Sequence, residues 1–214
     1  MNKNLTHIVL VIDRSGSMAT CRQEAENGVN LFIEDQKKQP GEAAFSLVQF
    51  DTRIEWVHKN TNLKEVGHYS LIPGGMTALF DAIGSAINET GAYFGSLSED
   101  QRPETVVVVI VTDGEENSSH EFKRSQIKDM IKLQQEVYNW QFTFLGANQD
   151  AFAEGAAIGI VPDSTANFST KRAQETFQAV TQSLNTTRGA ARLGKHAPVS
   201  YSTKQRKQMV EDDQ

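Results

Sequence analysis

The chain contains a single cysteine, Cys21, among 214 residues, and no apolar stretch long enough to span a membrane. One cysteine allows no intrachain disulfide. The five histidines (His7, His58, His68, His120 and His196) show none of the paired spacings used to bind zinc. No G-x-x-x-x-G-K-[ST] run is present, which excludes a P-loop, and no G-x-G-x-x-G follows the first apolar run. The segment Met1 to His7 does not introduce a secretory signal, because the apolar run behind it is short and ends in Asp13. These absences set the expectation of a reducing, cytosolic compartment and no membrane contact. No internal repeat is visible. Acidic residues are missing from Thr186 to Val210, where six basic residues stand unopposed, whereas the first 185 residues carry a net charge of −9 within a total of −6. A body that acidic argues against binding nucleic acid.

Hydrophobic and charged contents of 38% and 22% are ordinary for a globular protein, and the length suits one well-buried α/β domain with something left over. Five apolar, mostly β-branched residues, Ile8 to Ile12, lead into Asp13-Arg14-Ser15-Gly16-Ser17-Met18. An unbroken run of this kind reads as a strand buried on both faces of a parallel sheet. Ligands of such sheets bind at the carboxyl ends of the strands, where Asp13, Ser15 and Ser17 would sit. These residues offer only oxygen, the preference of a hard divalent cation. On their own they fit equally well a turn capping the next helix.

Two later segments add to this one. Pro73-Gly74-Gly75-Met76-Thr77-Ala78-Leu79 is a glycine turn ending in a hydroxyl, and Val106 to Ile110 continues through Val111-Thr112 into Asp113-Gly114. The series D-x-S-x-S, G-G-x-T-x-L and a β-run ending in T-D-G resembles the von Willebrand factor A (vWA) domain over roughly residues 6–182, in its intracellular bacterial or phage type. The resemblance implies a doubly wound, mostly parallel α/β sheet with one antiparallel edge strand, in strand order 3-2-1-4-5-6. It also implies a metal-ion-dependent adhesion site at Asp13, Ser15, Ser17, Thr77 and Asp113. In that family the hydroxyls of Ser15, Ser17 and Thr77 bind the ion directly, Asp13 and Asp113 act through water, and a partner's Asp or Glu fills the open position. Magnesium suits such a shell, with manganese substituting and calcium less well. Asn117 and Glu115 stand close enough in sequence to form a rim, although a solvated loop explains them more simply. Cys21 opens a helix, which would lower its pKa, but packing is the simpler role.

The implied function is a non-enzymatic, monomeric module that grips an unidentified partner protein. The alternative is a magnesium-dependent phosphoryl-transfer enzyme, phosphatase-like, with Asp13 as nucleophile. Such enzymes usually carry an acid/base Asp two residues further on, where this chain has Ser15.

The domain is expected to fill residues 1–185, with 186–214 forming the end of the last helix and a basic, flexible tail. Helical spacing predicts helices over 19–39, 79–90, 120–137 (capped by Ser119), 151–157 (capped by Asp150) and from Thr170 to about Arg188 or Leu193. Strands are expected over 43–50, 53–58, 105–112, 140–145 and 166–169, with 59–71 and 91–103 irregular. The terminal Glu211-Asp212-Asp213 offers carboxylates to the open metal position of a neighbouring molecule.

Overall fold

A computed structural model describes residues 1–147 and 150–210. Asn148 and Gln149, expected at the end of a strand, and the terminal carboxylates Glu211, Asp212 and Asp213 lie outside the described residues. Six strands, β1 (Asn2–Asp13), β2 (Glu42–Phe50), β3 (Ile54–Asn62), β4 (Pro103–Thr112), β5 (Gln141–Gly146) and β6 (Thr165–Asn167), form one sheet in the order β3-β2-β1-β4-β5-β6. Only the β2–β3 pair is antiparallel. The α/β class, the edge hairpin and the strand order all match the expectation.

Side chains alternate across a strand, so β1 feeds two cores at once. Ile8, Leu10 and Ile12 face one layer, with Val29 and Phe32 of α1 (Arg22–Lys37) and Phe177, Val180 and Leu184 of α5 (Ala173–Arg192). Val9 and Val11 face the other, with Ile83 and Ile87 of α2 (Leu79–Ser96) and Ile127 and Ile131 of α3 (Arg124–Tyr138). Covering both faces is what a parallel sheet requires, and it explains why β1 and β4 read as unbroken apolar runs. The order reverses between β1 and β4, which puts the ends of both strands beside one crevice.

Several boundaries differ from the sequence reading. Helix α2 continues through Gly91 and Gly95 to Ser96, where a loop was expected. Each glycine costs about 1 kcal/mol in a helix interior. Phe94 offsets this by burying its ring edge-on to His7 at 5.2 Å and Trp140 at 5.8 Å. Helix α3 begins at Arg124, not His120, because the N–H groups of His120, Glu121 and Phe122 donate instead to the Asp81 carboxylate. Ser119 therefore does not cap α3; its Oγ instead accepts from the Asp81 N–H at 3.1 Å, in the first turn of α2. Val137, expected inward, is exposed. The stretch 59–71 is not loose: β3 reaches Asn62, and Leu63, Val66, Tyr69 and Leu71 are buried against α1. Asn30 holds that strap by donating to the Tyr69 carbonyl and accepting from its N–H, both at 2.8 Å.

The largest difference lies beyond Gly194. A solvated tail was expected, but Val199, Tyr201 and Met209 are buried, and a short helix, α6 (Thr203–Val210), closes the described chain. The Tyr201 hydroxyl meets Thr143 Oγ1 at 2.7 Å, and the Arg206 guanidinium donates to the carbonyls of Pro162, Asp163, Thr165 and Tyr201. Three deep apolar anchors and one multiply bonded arginine order a segment whose average composition is polar. Residues 151–157 form α4, with the Asp150 carboxylate accepting from the N–H groups of Phe152 and Ala153, as expected of its cap. Among the described residues, no helix is long and apolar enough to cross a membrane.

Candidate metal centre

Three loops meet at the carboxyl ends of β1 and β4, and backbone hydrogen bonds join them before any side chain is counted. Gly16 N–H donates to the Gly75 carbonyl at 3.2 Å, and Gly74 N–H donates to the Arg14 carbonyl at 2.8 Å. Gly75 has φ +74°, and a Cβ there would come within 3.0 Å of Asp51 Cβ and Thr52 Oγ1, so this turn requires glycine. Thr77 is clamped from the other side: its N–H donates to Asn117 Oδ1 at 2.9 Å, and its carbonyl accepts from the N–H groups of Asn117 and Ser118. Asn117 thus holds the Thr77 backbone. Glu115 is exposed, in keeping with the simpler loop reading.

The five sequence-predicted residues converge on this junction. Asp13 is fully buried; its Oδ1 accepts from the Ser15 N–H at 2.7 Å and its Oδ2 from the Thr112 hydroxyl at 2.6 Å. Ser15 Oγ lies 3.0 Å from Ser17 Oγ, and Ser17 donates to Asp113 Oδ1 at 2.7 Å. A Cβ built on Gly114 would stand 3.5 Å from Thr77 Oγ1 and 3.8 Å from Ser17 Oγ, so a side chain there would fill the space beside both hydroxyls. Asp113 Oδ2 is buried without a hydrogen-bond partner among the described residues.

The electrostatics follow from burial. Desolvation pushes both carboxyls above their usual range. For Asp13, the bonds from Thr112 and Ser15 oppose that rise, while the nearby Asp113 charge adds to it. For Asp113, the Ser17 hydroxyl opposes it. Two poorly solvated carboxylates side by side are stabilised by a cation. The donor set fits one: two acids and three hydroxyls, with one carboxylate oxygen unmatched. Cys21 is buried nearby, and its thiol is pushed up to about 12 by burial first and by Asp113 and neighbouring acids next. It is a packing residue, and the lowered value expected from its helix start does not arise. His7, His58 and His68 play no part here; His7 lies in the sheet interior, 3.0 Å from Ser46 Oγ.

The sequence reading missed the scaffold behind the site. Thr112, which holds Asp13, was visible in T-D-G but read only as strand. Glu116 accepts from the nearby N–H groups of Ser118 and Ser119 and from the distant Phe80 N–H, and Asp81 ties down residues 120–122; the links to Phe80 and from Asp81 gave no local signal because they join segments far apart in sequence. Arg14 lies 3.1 Å from both Asp51 and Glu55, joining the first loop to the β2–β3 hairpin.

The von Willebrand factor type A domain model matches residues 7–185. The chain belongs to that family. No curated protein matches the sequence. Among solved structures, the vWA fold recurs in proximal thread matrix protein 1 from the mussel byssus, with a TM-score of 0.59 at 15% identity over 83% of this chain and 47% of that one. A second structure of the mussel protein, described as having a zinc-occupied MIDAS motif, gives 0.57 at 14% identity over 92% and 48%. A von Willebrand factor type A protein from Catenulispora acidiphila gives 0.56 at 16% identity over 85% and 42%. The chain spans less than half the length of each of these proteins.

Proposed function

We propose that this vWA domain is a protein-binding module that uses a divalent cation held by Asp13, Ser15, Ser17, Thr77 and Asp113 to grip an Asp or Glu of a partner protein. The observation that carries this reading is the buried, unpartnered Asp113 Oδ2 beside three converging hydroxyls. A cation bound there would supply concentrated positive charge and a coordination position for an incoming carboxylate. Neutral hydroxyls quench little of that charge, and magnesium, which accepts few protein ligands and keeps waters, suits them best, with manganese or calcium as substitutes. The mussel protein with zinc in its MIDAS motif supports a divalent ion in this fold. Asp13 holds the first loop and supports charge from behind. Its side chain has no exposed surface and each oxygen already accepts a hydrogen bond, so a phosphate ester has no line of approach to it, which favours binding over the phosphatase-like alternative. The module acts as a monomer in a reducing, cytosolic setting, away from membranes and nucleic acid.

Affinity capture with the full chain, in magnesium and then in chelator, tests this. The partner should be retained by wild type in magnesium only, and not by Thr77→Ala, whose backbone bonds to Asn117 are untouched by the change. Retention unaffected by chelator and by Thr77→Ala would overturn the reading. So would hydrolysis of phosphate esters that disappears in Asp13→Asn.

A further inference from the structure

A second site lies at the opposite end of the sheet, where β1 and β2 begin and α1 and α5 end. A cavity of about 350 Å³ opens there, lined by Gln36, Lys37, Asn60, Asn62, Lys64 and Arg188 among others. Arg188 is only 3% exposed. Its Nη1 donates to Gln36 Oε1 at 2.8 Å and to the Gln36 carbonyl at 3.1 Å. Gln36 is itself fixed, its Nε2 donating to Asn185 Oδ1 at 2.9 Å. Nothing else among the described residues bonds the guanidinium, so its Nε and Nη2, the edge that pairs two-fold with an oxyanion, are uncommitted. No carboxylate forms an ion pair with it among the described residues. Glu42, the one acid in the lining, is exposed and unpaired with it.

A buried guanidinium without a counter-charge is costly, and proteins usually supply one. Its surroundings disfavour its charge further: burial first and Arg192 second draw its pKa down. The other lining groups also present donors. Asn60 Oδ1 accepts from Ser46 and Asn62 Oδ1 from the Lys64 N–H, so both side-chain amides have their NH₂ groups left over. Lys64 is exposed and forms no ion pair among the described residues, whereas Lys37 is already engaged by Glu34 and the Val66 carbonyl. The unspent groups of Arg188, Asn60, Asn62 and Lys64 are all donors, more than a planar carboxylate can use and enough for a tetrahedral oxyanion, while the acceptors in the lining are the exposed Glu42 carboxylate and the Gln39 amide oxygen.

We propose that this cavity binds the phosphate group of a small solute, with Arg188 as the two-fold anchor, Asn60 and Asn62 as amide donors and Lys64 as the charge at the mouth. The site shares no residue with the metal centre, so either can fail alone. The volume exceeds that of phosphate itself and leaves room for a small organic group.

Backbone amide shifts of the full chain, followed by NMR during titration with inorganic phosphate and separately with glycerol 3-phosphate, test the proposal against sodium chloride at matched ionic strength. Saturable shifts at residues 36–41 and 60–64 are expected with phosphate and not with chloride. Tighter binding of glycerol 3-phosphate would identify a phosphate ester as the ligand, and equal binding free phosphate. Lys64→Ala, at an exposed position, should fold normally and weaken binding, and Arg188→Gln should weaken it about tenfold or more, the worth of a charge-assisted hydrogen bond. Absence of saturable shifts in wild type, or binding by Lys64→Ala as tight as wild type, would overturn the proposal even if the Arg188 variant failed to fold.

Discussion

Asp13 and Asp113 carry the same side chain and do different work. Asp13 ends β1 with both oxygens committed to neighbours, so it shapes the loop that presents Ser15 and Ser17. Asp113 stands one residue past β4 and keeps one oxygen unmatched, so it acts through charge. Elsewhere a buried histidine adds its own response to acid. Burial lowers the His7 pKa from 6.5 to about 4. The unfolded chain takes up this proton below pH 6.5 and the folded chain does so only near pH 4, so His7 leaves stability intact above pH 6.5 and erodes it as pH falls through that window. The full loss is roughly 3 kcal/mol. Urea unfolding at pH 7 and pH 4 should show wild type losing about that much more stability than His7→Gln between the two, by the same linkage. Equal losses in both proteins would mean that His7 takes up its proton in the folded state without difficulty.

Among the elements, α1 and α5 pack closely because Gly28 offers no side chain. A Cβ there would meet Phe177 Cδ2 at 2.5 Å and the Ala173 carbonyl oxygen at 3.1 Å. Gly28→Ala should therefore destabilise by about 1–3 kcal/mol, the usual cost of overpacking, despite alanine's higher helix propensity. Chemical denaturation of the variant checks this; a gain in stability would show that the Phe177 ring gives way freely. The same contact shows where sequence reading stops. Periodicity and apolar runs located α1, β1 and β4 because those signals lie within one segment, whereas the sheet order rested on the family resemblance. Periodicity missed the second half of α2, where Phe94 is held by His7 and Trp140, and it placed the start of α3 too early, because Asp81 takes the N–H groups that a helix would use. The five candidate ligands were legible through motif resemblance, whereas Thr112 and Asp81 work through partners far away in sequence.

Across the whole molecule, two ends of one sheet carry different chemistry: carboxylates and hydroxyls at the carboxyl ends of β1 and β4, and uncommitted donors at the opposite end. The C-terminal segment braces the far side. It lies back on the body, where Arg206 is bound by backbone carbonyls and, among the described residues, by no acidic side chain. Composition averaged over residues 195–203 hid Val199 and Tyr201, each of which is buried. Tyr201→Phe should cost about 1 kcal/mol by leaving Thr143 a partner short. Deleting residues 195–214 should lower the melting temperature by several degrees at least; an unchanged melting temperature would return the segment to the status of a solvated tail. The central claim is that five residues from three loops hold one divalent cation. Titration of the full chain with manganese, followed by electron paramagnetic resonance, tests it most directly. One manganese per chain should bind, magnesium should displace it, and both Asp113→Asn and Thr77→Ala should abolish that binding while circular dichroism stays unchanged. Undiminished manganese binding by both variants would contradict the account.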